Sequence, residues 1–233
     1  MTLSSISETF CISAGSALGR EHARLHRNNQ DASAIRMSDA LGVLVVCDGC
    51  SSGAYSEVGA RLGATWAADL LLAYEGNAKL TALEMLTKLH LLVGQSDARE
   101  FVGNHLLFTL VAAVITPDWV RIYGRGDGVF SINGALTIRD AGAENAPDYF
   151  AYALIDHARP VQLELWAEVP TDTVASLAIG TDGAVNALDL LQSAASERVF
   201  AHNGSWLQRQ LWARETRLVD DTTIVLLRKK EAA

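Results

Sequence analysis

Short apolar runs that close on glycine, aspartate or asparagine punctuate this chain, and helical spacing fills the stretches between some of them. "FCISAGS" and "LGVLVVCD" are apolar, rich in β-branched residues and bounded by turn residues, so they predict strands. The intervening "GREHARLHRNNQDASAIRM" is polar at first and extended later. Over residues 55–74, Val58, Leu62, Trp66, Leu70 and Ala73 recur at helical spacing. A second helix is predicted from Thr81 to about Val102, with Leu83, Leu86, His90 and Val93 on one face and Gly94 weakening its middle. Strand signals follow in "HLLFTLVAAVIT", "WVRIYG", "GVFSI" and "ALTIR", and Asn133-Gly134 between the last two is a hairpin signal. Residues 140–160 fit neither period. Beyond them "VQLELWAEV" alternates, "VASLAIGTDG" is an apolar strand closing on Asp-Gly, and "TTIVLLR" closes the chain as a strand. Helices are predicted between these last two strands, at 184–201 and around 204–215.

Strands, a helix pair, a strand meander, a second helix pair and a final strand make up this order. It lacks the strict βα alternation of a parallel sheet, and two antiparallel sheets covered by helix pairs fit it. No low-complexity segment, repeat or Pro/Gly-rich linker interrupts the sequence, so residues 1–233 are expected to form one domain.

Composition narrows the function classes. With 49% hydrophobic and 20% charged residues the chain has the balance of a folded globular protein. A formal charge of -8 argues against a general binder of nucleic acid or of an anionic membrane. No apolar run is long enough to span a bilayer, and "MTLSSISETFCISAG" lacks the layout of a secretion signal. Three cysteines are too few for a disulfide scaffold, so a reduced, cytoplasmic protein is expected.

The candidate chemistry lies where apolar strands run into acidic residues. "LVVCDG" ends in Asp48, "IYGRGDG" in Asp127, "LAIGTDG" in Asp182 and "LVDDTTIVLL" opens on Asp220 and Asp221, while "NNQDASAI" places Asp31 just before a strand. Converging carboxylates hold hard divalent cations, because Mg²⁺ and Mn²⁺ prefer oxygen ligands. The plainer alternative is that each Asp-Gly pair is only a turn. Cys47 and Cys50 also have Cys-x-x-C spacing, but no second pair and no thioredoxin-like context supports a zinc or redox site. Cys47, the penultimate strand residue, is expected to point away from the side that Asp48 faces.

In order and spacing, "NNQDA", "VVCDG…SEVGA", "GRGDG", "AIGTDG" and "DDTTIVLL" resemble the type 2C (metal-dependent, PPM) protein phosphatase family in its bacterial branch. The motifs run from residue 28 to 227. The resemblance implies a four-layer α-β-β-α sandwich with a binuclear Mn²⁺ or Mg²⁺ centre at the sheet edges. Carried over residue by residue, Asp48 would bridge both metals, Gly49 would lend its carbonyl to one, and Asp182 and Asp220 would hold the other. Asp127 matches an aspartate that, with Asp182, supports a weaker third metal in several members. Asp31 and Gln30 would lie near the second metal and its waters. Asp221 is the alternative ligand if the register at Asp220 is one residue off. The implied nucleophile is a hydroxide bridging the two ions, so that Asp-Gly rather than the cysteine pair carries the chemistry.

Departures from the family pattern bear on the phosphate. Gln30 stands where Glu is common, and His26 stands where the family has a phosphate-binding Arg. Arg27 and Arg24 are the nearest candidates for that cation, since an Arg fork matches phosphate geometry. His22 is a candidate general acid for the leaving alkoxide. Residues 140–173 correspond to the family's flap and carry Tyr149, Phe150, Tyr152 and Trp166. The function implied is removal of phosphate from phosphoserine or phosphothreonine in a protein, opposing a Ser/Thr kinase, with neither nucleic acid nor membrane as partner. A catalytically weak regulatory module that binds a phosphoprotein or kinase is the alternative, and a hydrolase of small phosphoesters is a third reading.

Overall fold

The apolar runs pair into two five-stranded antiparallel sheets. The structure is a computed structural model that describes residues 5–141, 147–193 and 205–230. One sheet orders its strands β1 (Phe10–Ala17), β10 (Thr222–Lys229), β9 (Ser176–Gly180), β6 (Gly128–Ile132) and β7 (Ala135–Arg139). The other orders β2 (Asp31–Met37), β3 (Gly42–Gly49), β4 (Phe108–Ile115), β5 (Trp119–Arg125) and β8 (Glu164–Pro170). The helices are α1 (Ile6–Thr9), α2 (Arg20–Arg24), α3 (Ser56–Ala73), α4 (Ala78–Val93), α5 (Ala98–Phe101), α6 (Leu188–Ser193) and α7 (Trp206–Trp212).

Three cores make this a four-layer α-β-β-α sandwich. Alternation along β3 sends Val43, Val45 and Cys47 to one side, against Ala60, Ala64, Ala67, Met85 and Leu89 of α3 and α4. Leu44 and Val46 face the other way and meet Ile179, Val225 and Leu227 between the sheets. On the far side, Ile224 and Leu226 pack with Leu190, Leu191, Leu207 and Leu211 of α6 and α7. Cys47 therefore lies in the outer layer, and Asp48 belongs to the opposite row.

The helices correct the sequence reading in detail. In α3 the buried residues are Ser56, Glu57, Gly59, Ala60, Gly63, Ala64, Ala67, Ala68, Leu70 and Leu71, while Val58 is exposed. A Cβ on Gly63 would lie 2.4 Å from the Phe108 ring. The helix approaches the sheet so closely that small side chains form the contact face and larger ones move to its flanks. The second helix stops at Val93, where Gly94 takes a positive φ of 55 that glycine adopts readily. Its buried face is Thr81, Ala82, Met85, Leu89 and Val93, and Leu83 is exposed. The chain continues through α5 and a π-helical turn at Val102–Leu106.

Asn133 and Gly134 both have positive φ, as a two-residue β6–β7 hairpin of type I′ requires. Of the predicted helix at 184–201, the first residues belong to a 3-10 turn at Asp182–Ala187, α6 follows, and 194–201 lie outside the described residues. The stretch 140–160, patternless in sequence, contains a 3-10 turn at Phe150–Leu154.

Candidate metal centre

β2 begins at Asp31, β3 ends at Gly49, β9 ends at Gly180 and β10 begins at Thr222, so the acidic strand ends can share one edge of the sandwich. Register then aligns them. Asp31 is the cross-strand partner of Asp48, and Asp48 is that of Thr109, which puts the three in one row across a sheet. The other sheet reaches this row through Thr181, whose hydroxyl donates to Oδ2 of Asp31 at 2.8 Å. Thr181 is itself fixed by Thr223, whose backbone N–H donates to the Thr181 hydroxyl at 3.0 Å.

Four carboxyls converge here. Asp48 is held well above the usual carboxylate range, first by burial and then by the charges of Asp31, Asp182 and Asp220. Burial pushes the Asp31 carboxyl up to about 8, despite the Thr181 hydrogen bond, with the Asp221 charge adding to the effect. Asp182 is raised by burial and by Asp220. Asp127, further along, is pushed up to about 6 by burial and by Asp182. Asp48 is in side-chain contact with both Asp31 and Asp182, an arrangement that calls for shared protons or a cation. Oδ1 of Asp31, of Asp127 and of Asp182 is buried with no hydrogen-bond partner. Unpaired buried carboxylate oxygens from several elements, all hard donors, suit a divalent oxygen-loving ion.

Asp220 and Asp221 have different surroundings. Asp220 is part-buried, accepts from the Asp221 N–H through Oδ1 and acts electrostatically on Asp48 and Asp182. Asp221 is turned the other way, into the loop that precedes β2. Its Oδ1 accepts from Gly19 N at 2.7 Å, and its Oδ2 accepts from Gln30 N at 2.6 Å and lies 2.8 Å from His22 Nδ1. Ligand atoms of His22, Asp220 and Asp221 lie within 4.8 Å of one another. Two N–H groups are already aimed at the Asp221 carboxylate, while Asp220 faces the other acids. Close backbone approach keeps this arrangement in place: a Cβ on Gly183 would lie 1.9 Å from the Asp221 carbonyl oxygen.

The other expected residues fall around this edge. Gly49 donates its N–H to the Gln30 carbonyl at 3.1 Å, and a Cβ there would lie 2.8 Å from the same oxygen. Gln30 is buried, and its Nε2 donates to Gly53 O at 3.2 Å while Oε1 has no partner. Arg27 donates to the carbonyl of Ser51, in the loop that follows Asp48-Gly49. Arg24 instead pairs with Glu21 on its own helix at 2.9 Å. His22, the candidate general acid, is buried with its ring tied to Asp221.

Thr181 and Thr109 escaped the sequence reading, although Thr181 sits inside "AIGTDG". So did Arg125, a buried guanidinium that pairs with Asp148 at 2.6 Å and fixes the start of the segment carrying Tyr149.

The sequence model described as Protein phosphatase 2C matches residues 18–219. The chain belongs to that family. A search of curated proteins finds no match. Solved structures of protein phosphatase 2C-like folds align over almost the whole chain. The S. agalactiae serine/threonine phosphatase superposes with a TM-score of 0.66 at 14% identity, covering 95% of this chain and 100% of its own. Serine/threonine phosphatase Stp1 from Staphylococcus aureus gives 0.60 at 16% identity, with 99% and 98% covered. RsbX in complex with magnesium gives 0.56 at 13%, with 96% of both chains covered. At these identities the likeness is one of fold, and this protein phosphatase 2C chain shares their two-sheet architecture.

Proposed function

We propose that this protein is a metal-dependent phosphomonoesterase that removes phosphate from phosphoserine and phosphothreonine in proteins. Family membership supports the reaction class, and the observation that carries the reading is the convergence of Asp48, Asp182 and Asp220 beside carboxylate oxygens that have no donor. Asp48, Asp182, Asp220 and the Gly49 carbonyl would hold two Mn²⁺ or Mg²⁺ ions, with Asp127 available for a third and Asp31 and Gln30 for bound water. Such a pair lowers the pKa of water and neutralises charge on a phosphoryl group in flight.

The chain's own residues do the rest. Thr181 and the β2–β3 register hold Asp31 and Asp48 in place. Asp221 fixes the loop from Gly19 to Gln30, and that loop carries Arg27 to the rim, where its guanidinium can pair with two phosphate oxygens. An opposing Ser/Thr kinase in the same bacterial cytoplasm completes the reading.

The test is hydrolysis of an aryl phosphate by metal-stripped protein, with and without added Mn²⁺, beside Asp48→Asn. Activity that requires Mn²⁺ and is lost in the variant supports the proposal. Tight Mn²⁺ binding without turnover would point to the regulatory-module reading instead.

A further inference from the structure

Next to the candidate centre lies a second feature that the reaction itself does not use. A cleft of about 350 Å³ is lined by Arg99, Tyr152, Ile155, Asp156 and Arg159. It is one aromatic ring removed from the acidic edge: the Tyr149 side chain lies beside Cys50, two residues beyond Asp48, and meets Tyr152 edge-on at 5.5 Å between centroids. An extended peptide advances about 3.3–3.6 Å per residue, so a chain leaving an ester held at the edge reaches the cleft within a few residues.

The cleft presents preset cationic donors. Arg159 stacks over the Tyr152 ring at 4.8 Å and donates through Nη1 to Asp148 Oδ1 at 2.7 Å, while its Nε lies 3.6 Å from Asp156. Asp148 is immobilised in turn by the buried Arg125 at 2.6 Å, so Arg159 is held from two sides with Nη2 left over. Arg99 is exposed on α5, and its side chain has no hydrogen-bond or ionic partner among the described residues. With Asp148 and Asp156 both beside Arg159, Arg99 is the cation of the lining whose side chain is left for a ligand, on a chain whose total charge is -8. Guanidinium donors over an aromatic floor fit a carboxylate better than an apolar or basic side chain.

We infer that this cleft is a specificity subsite that takes an Asp or Glu side chain a few residues from the phosphorylated residue of the substrate, with Arg99 as the principal contact. The inference rests on the phosphoprotein reading above, and its test separates the two. Fluorescein-labelled phosphoserine peptides carrying Asp at two to four residues on either side would be compared with Ala versions, for hydrolysis by the Mn²⁺-loaded protein and for anisotropy-monitored binding to Asp48→Asn. An Asp peptide at one spacing is expected to be preferred by about three- to tenfold, less at high salt, because the pair is solvent-exposed. Arg99→Ala should erase that preference while leaving aryl phosphate hydrolysis unchanged, and Arg99→Lys should keep part of it.

No preference at any spacing, or a preference that survives Arg99→Ala, overturns the subsite while leaving the phosphatase reading intact. Failure to hydrolyse any ester sinks the phosphatase reading. The binding comparison then decides the subsite alone: a preference that Arg99→Ala removes supports it, and equal binding of Asp and Ala peptides overturns it.

Discussion

His22 Nδ1 lies 2.8 Å from Asp221 Oδ2, and both side chains are buried. This pair, with the N–H groups of Gly19 and Gln30 on the same carboxylate, anchors the loop that leads into β2 to the start of β10. Replacing Asp221 with Asn exchanges one acceptor oxygen for a donor facing donors. Leaving buried donors unpaired costs about 1–3 kcal/mol each. We expect Asp221→Asn to lower the melting temperature of the metal-free protein, and Asp220→Asn to leave it nearly unchanged while weakening Mn²⁺ binding. Thermal unfolding and titration calorimetry on both variants check this, and the opposite assignment of effects would mean that Asp221 is the ligand.

Asp31 and Asp48 are cross-strand partners, and both hold their protons more tightly in the fold than in the unfolded chain. For Asp31 the window runs from the ordinary 3.8 to about 8. Across it the folded state binds more protons than the unfolded one, so stability falls as pH rises. Metal-stripped protein should therefore unfold at progressively lower temperature from pH 5 to pH 8. Saturating Mn²⁺ should reverse the trend, because the ion replaces the protons, and its binding should release protons. A metal-free melting temperature that rises over this range would contradict the carboxyl cluster.

How much of this was legible in the sequence differs from residue to residue. Asp48, Asp127 and Asp182 were readable as acids at strand ends, because a strand that must stop and an acid beside glycine leave their mark within six or seven letters. Cys47 could be placed correctly because strand alternation is strictly local. The face of α3 was misread because its burial depends on Phe108, a residue far along the chain that demands Gly63. The different surroundings of Asp220 and Asp221 could not be read from sequence, since the donors that meet Asp221 are on Gly19 and Gln30, about 190–200 positions away. Arg125 and Asp148 pair across a stretch with no periodicity, so nothing local announced them.

Thr181 gives the Asp31 carboxylate a donor from the opposite sheet. Thr181→Val keeps shape and removes that donor, which is expected to destabilise the protein by about 1–3 kcal/mol. Thr181→Ser should recover most of the loss. If the interaction only braced the sheets, activity per folded molecule would be unchanged. We expect kcat to fall in Thr181→Val even where folding is complete, because Asp31 loses its fixed orientation. Denaturant unfolding and steady-state kinetics on the same preparations separate the two effects.

Arg27 and Arg24 were indistinguishable as candidates for the phosphate, and their contacts now divide them. Arg24 is exposed and spends its guanidinium on Glu21, one turn away. Arg27 leans onto the Ser51 carbonyl, at the loop continuing from Asp48 and Gly49. A guanidinium that contacts a phosphoryl group contributes to substrate and transition-state binding alike, so its loss should raise KM more than it lowers kcat. Arg27→Ala is expected to reduce kcat/KM on aryl phosphate by about ten- to a hundredfold, consistent with a lost charge-assisted hydrogen bond. Arg24→Ala should stay within about twofold, as expected for an exposed i,i+3 pair. Arg27→Lys should restore charge but not the paired donors, and so recover only part of the loss. Equal effects of the two alanine variants would remove Arg27 from the phosphate-binding role and return that role to another residue of the loop.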